Sequence, residues 1–140
     1  MSVSLYYSAH RDTPLSDAER AGLGRIIAEG ESALTAFAEH ALPAWVRDGE
    51  VTDPDLEPRE LFEPLAPYSF GGGRRELFAG SSKISHTASG PEPQMAQLNH
   101  YLAALARLRD AVPGAEWRVR IDDLAIPWVD GEYDLGSAGH

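Results

Sequence analysis

The sequence predicts an α+β sandwich, an antiparallel sheet with two helices on one face, plus a C-terminal β-hairpin. Three observations predict it. Val3, Leu5 and Tyr7 alternate with Ser4, Tyr6 and Ser8, the period of a half-buried strand. Two later stretches, one opening at Ser16 and one near Pro93, repeat apolar residues at helical spacing. Trp117, Val119 and Ile121 alternate with Arg118 and Arg120, a second half-buried strand. With two short strands between the helices, the order is strand, helix, strand, strand, helix, strand. That is the split βαβ, or ferredoxin-like, pattern. It hosts many unrelated functions, so it selects none by itself.

Each element has its own warrant. Ser16-Asp-Ala-Glu19 matches a capping box, in which the serine hydroxyl and the glutamate satisfy free backbone N–H groups reciprocally. Leu23, Ile26, Ile27, Leu34, Phe37 and Ala41 follow as the core stripe of the first helix. Gly22, Gly24 and Gly30 each weaken it by about 1 kcal/mol relative to alanine, so a kink near Gly30 is expected. Pro43 is expected to end it. Residues 43–67 read as an irregular acidic loop, interrupted by Pro54, Pro58, Pro64 and Pro67. Short strands are expected near Tyr68–Phe70 and Glu76–Ile84, with Gly80 marking a bulge or a close backbone contact. The second helix is expected from about Pro93 to Val112, with Met95, Leu98, Leu102, Leu105 and Val112 in the core and Pro113-Gly114 as its stop. Asp130-Gly131 is a favoured two-residue turn for a terminal hairpin, with Pro127 placing its first strand at an edge. Residues 1–135 are expected to form one domain, and 136–140 a flexible tail.

Composition narrows function by exclusion. The 140 residues carry a formal net charge of -10, which disfavours nucleic acid and anionic membrane as partners. The charge is uneven. Residues 61–90 hold three basic and two acidic side chains, the one electropositive island between acidic flanks. The absence of cysteine removes disulfides, thiolate metal sites and cysteine nucleophiles, and fits a cytoplasmic protein. No apolar run approaches the ~18 residues of a membrane span.

Few motifs carry chemistry. Gly71-Gly-Gly-Arg-Arg75 resembles a phosphate cradle, but such a cradle needs a helix N-terminus behind it. A strand is expected there instead, so a hairpin turn is the better reading. Arg74 and Arg75 remain candidates for an anion site. His10-Arg-Asp12 matches a kinase tripeptide by chance, because the other kinase motifs are missing. His10 stands just past the first strand, at the rim of the sheet. The five histidines are scattered without a ligand spacing, so no metal and no cofactor is expected. Ser85 and His86 are neighbours that would point to opposite faces of a strand, a poor nucleophile and base. If Leu5 and Tyr7 face the helices, Tyr6 faces away and shares that side with Arg118 and Arg120.

These residues support a small acidic, non-enzymatic protein-interaction module, such as an inhibitor or immunity-type protein for a basic partner. Its expected partner-binding segment is the acidic loop, with Asp53, Asp55 and Glu57 for charge and Trp45 and Phe62 as anchors. The alternative is an anionic small-molecule site, of a binding protein or a minor enzyme, between the sheet and that loop, formed by Tyr6, His10, Arg74, Arg75, Arg118 and Arg120. A homodimer through the sheet is the further expectation.

Overall fold

The computed structural model describes residues 4–52, 65, 67–70, 76–83 and 91–134. Strand β1 (Ser4–His10) leads to helix α1 (Asp17–Arg47), then to strands β2 (Pro67–Phe70) and β3 (Glu76–Lys83). Helix α2 (Pro91–Ala111) and strand β4 (Glu116–Ile121) follow. Three two-residue strands end the fold: β5 (Leu124–Ala125), β6 (Trp128–Val129) and β7 (Glu132–Tyr133). The main sheet has the order β2-β3-β1-β4-β5, and β6 pairs with β7 in a separate hairpin. Every pairing is antiparallel. Among the described residues the molecule is therefore mixed α+β, with two helices, an antiparallel sheet and a small terminal hairpin.

Strict alternation along β1 divides the sheet. Leu5, Tyr7 and Ala9 are buried, and the residues between them are only half-buried. The buried set joins Phe78 of β3 and Trp117 and Val119 of β4 in one core with both helices. Leu23, Ile26, Leu34 and Ala38 come from α1, and Leu98, Tyr101, Leu105 and Leu108 from α2. Tyr7 and Phe78 stack at 5.6 Å, and Phe78 lies 5.9 Å from Trp117. The Tyr7 hydroxyl shares a hydrogen bond of 2.9 Å with Ser82 Oγ, so its polar end is satisfied inside the core.

The capping box at Ser16 and Glu19 forms as expected. The end of α1 does not. The helix passes through Gly30 and through Pro43 and stops only at Asp48. Proline removes the hydrogen bond to the carbonyl four residues back and costs ~3 kcal/mol in a helix interior. Trp45 lies beyond it in the core at 4 % exposure, edge-on to Phe37 at 5.8 Å, and that burial carries the helix onward. The stop is a Schellman motif. Gly49 has φ 80°, its N–H donates to Val46 O, and the Glu50 N–H donates to Trp45 O at 2.8 Å. At Gly30 the two helices approach closely, for a Cβ there would lie 3.5 Å from Ala104 Cβ.

Helix α2 differs in one respect. Met95 is exposed at 49 %, and the core stripe begins at Leu98 instead. The expected irregularity at Gly80 lies on the neighbouring strand, where the β2 register shifts between Pro67 and Ser69 opposite Gly80 and Ala79. The Asp130-Gly131 turn forms with φ 52° and 85°, as its hairpin requires. Trp128 and Tyr133 meet edge-on at 4.8 Å, and the Arg109 guanidinium of α2 lies 4.2 Å over the Trp128 ring. This contact fastens the hairpin to the helix. A second tight turn at Asp122, with φ 50°, adds β5 to the sheet edge.

Candidate functional site on the outward face of the sheet

The side of the sheet turned away from the helical core carries the alternate residues of β1, β3 and β4, most of them polar. Three cross-strand rows build it. Tyr6 stands between Ser81 and Arg120, Ser8 between Ala79 and Arg118, and His10 between Glu76 and Glu116. Pairs in such rows have Cβ atoms ~5 Å apart, so the side chains meet. The Arg120 guanidinium lies 4.3 Å over the Tyr6 ring and donates to the Asp122 carbonyl. Arg118 Nη2 donates to Glu116 Oε1 at 3.1 Å. His10 Nε2 is 3.7 Å from Glu76 Oε2. Arg118 and Glu116 are both exposed, so this pair contributes little to stability.

Strand alternation therefore brings Tyr6, His10, Arg118 and Arg120 together as the sequence indicates. His10 is not a loop residue, however, but the last residue of β1. Sequence reasoning passed over Glu76, Glu116 and Ser8 on the same surface. The period-two rule applied to β4 would have found Glu116, two residues before Arg118. Trp45, expected as an anchor of the partner-binding segment, is buried in α1. Arg74 and Arg75, with Asp53, Asp55, Glu57 and Phe62, lie outside the described residues. The glycine-rich stretch before Arg74 joins two antiparallel strands, β2 and β3, and a strand follows it where a cradle would need a helix.

A second polar cluster lies at the start of α1. The Arg11 guanidinium donates to both Glu19 carboxylate oxygens, at 2.8 and 3.0 Å. It also donates to the carbonyls of Thr13, Pro14 and Pro113 at 2.9 to 3.1 Å. Those bonds use all five of its N–H groups. The Glu19 carboxyl is held down at about 2, first by the Arg11 hydrogen bond and then by the Ser16 N–H. Arg11 thus ties the β1–α1 connection to the α2–β4 turn. It has no donor left for a ligand.

Among the described residues, the seam between the helices holds only a small gap. The gap lined by Ile27, Gly30, Leu34, Leu65, His100 and Ala104 holds about 10 Å³, the room of one water. The His100 ring lies 5.0 Å from that of Phe37, tilted against it, and burial lowers its pKa. Among the described residues no three His, Cys, Asp or Glu side chains are grouped to hold a metal ion, and no helix is long and apolar enough to cross a membrane.

No protein-family model matches the chain, and no curated protein or solved structure is detectably similar to it. The described residues define a class rather than a family: an α+β domain with one sheet face in the core and charged residues on the other.

Proposed function

We propose that the chain is a ferredoxin-like split βαβ sandwich that works as a small acidic, non-enzymatic protein-interaction module of the cytoplasm. The strand order β2-β3-β1-β4 and the antiparallel pairings favour that topology. The observation that carries the functional reading is the outward face. It presents Tyr6, Ser8, His10, Glu116, Arg118 and Arg120 in cross-strand rows, a polar surface of the kind that meets a protein partner. The anionic-ligand reading is weaker, because Arg118 is engaged by Glu116 and Arg120 by the Asp122 carbonyl and the Tyr6 ring. The net charge of -10 favours a basic protein over nucleic acid or membrane.

Quantitative affinity capture from the native cell tests the reading. Wild type is compared with R118E/R120E on the sheet and with D53K/D55K/E57K in the acidic segment. A specific partner lost from one variant supports it. An identical partner set at equal recovery from all three contradicts it.

A further inference from the structure

The outward face bears a charge pattern with a direction. Ser8 lies at its centre, two residues from Tyr6 on one side and two from His10 on the other, roughly 6–7 Å each way. The Tyr6 end is basic and aromatic, with Arg120 over the ring. The His10 end is acidic, with Glu116 on one neighbouring strand and Glu76 on the other. The middle row holds the small Ser8 and Ala79, with the exposed Arg118 at its β4 end. A surface with opposite charges at its two ends complements a copy of itself.

We propose that this face is the interface of a symmetric homodimer. The inference rests on the interaction-module reading and gives that surface its occupant, a second copy of this chain. The two-fold axis runs across the strands at Ser8. Rotation about it exchanges the two ends, so Arg120 of each copy meets Glu116 of the other, and Tyr6 meets His10. An axis along the strands is excluded by charge, because it would face Glu76 against Glu116. Arg118 lies at the level of the axis and would meet its own symmetry mate. Its guanidinium leans toward Glu116, 3.1 Å away, and so lies off the axis. Two sheets packed in this way keep their strands within about 30° of antiparallel alignment, about 10 Å apart.

The dimer is expected to be weak. Three strands of this length present roughly 300–400 Å² of flat surface, well under the ~800 Å² per partner of a stable interface. Two copies of charge -10 also repel at low salt. Measurement therefore belongs at ~0.15 M salt, where the screening length is ~8 Å.

Sedimentation of the full chain from about 10 µM to about 1 mM, a range suited to weak association, tests the proposal. The expected result is a weight-average mass that rises toward the dimer for wild type. R120E alone and E116R alone remain monomeric, because each sets like charges against each other. An equimolar mixture of the two restores the dimer, because both exchanged contacts become attractive. That restoration also shows that both variants are folded. A wild type that stays monomeric throughout overturns the proposal, and so does a wild-type dimer that neither substitution weakens. Neither result touches the capture experiment, in which a foreign partner would still sustain the interaction-module reading.

Discussion

Tyr6 and Tyr7 are chain neighbours with opposite fates. Tyr7 is 2 % exposed, stacked on Phe78 and hydrogen-bonded to Ser82 within the core. Tyr6 is half-buried on the other side of the sheet, under Arg120. One residue step in a strand separates a side chain that holds the fold together from one that can meet a partner. The arginines divide in the same way. Arg11 spends every donor on the chain itself, whereas Arg118 and Arg120 remain exposed on the open face. Residue type alone does not mark a binding surface; what the side chain touches does.

Substitutions on the two sides should separate stability from association. Tyr7→Ala is expected to have the largest effect, lowering stability by about 3–5 kcal/mol through loss of a buried ring. Urea unfolding measures it, and a cost near zero would break the division of the sheet into two faces. Arg11→Met comes next. It strands the Glu19 carboxylate and frees three carbonyls, and the melting temperature should fall by more than about 5 °C. The pH dependence carries a sign. Glu19 sits at about 2 in the fold against about 4.3 in an unfolded chain, so its contribution is complete above about pH 5. It is lost as pH falls toward 2. The stability gap between wild type and Arg11→Met should therefore narrow across that window, and a gap that widens would remove the carboxylate from the account of this corner.

The two remaining substitutions have smaller effects on stability. Gly24→Ala on the exposed side of α1 should gain up to about 1 kcal/mol, since a Cβ there meets nothing within 4 Å. Tyr6→Ala should cost less than about 1 kcal/mol while abolishing concentration-dependent association. Thermal melts paired with sedimentation read both quantities. A Tyr6→Ala loss as large as that of Tyr7→Ala would assign Tyr6 to the fold rather than to the surface.

Local signals were legible in the sequence, and compensated ones were not. The β1 alternation, the Ser16–Glu19 capping box and the Asp130-Gly131 turn each arise within a few residues, and each appears in the structure. Pro43 misleads because its penalty is local while its compensation, the burial of Trp45, is tertiary. Gly49 was the available stop signal, a glycine just past the last helical turn. Arg11 is opaque for a related reason: one of its partners, Pro113, lies 102 residues away. Met95 matches the helical spacing yet falls beyond the end of the buried stripe. On the outward face the alternation alone grouped Tyr6 with Arg118 and Arg120. It did not show that Glu116 completes the opposite end, because that needs the register between β1 and β4.

The most direct measurement is a dilution series of amide NMR spectra on the full chain, from about 1 mM to about 20 µM, which reads weak association residue by residue. Concentration-dependent shifts confined to Tyr6, Ser8, His10, Glu116, Arg118 and Arg120 are the expected result. Spectra that do not change with dilution, or changes confined to the outer surfaces of α1 and α2, would contradict an interaction face on the open side of the sheet.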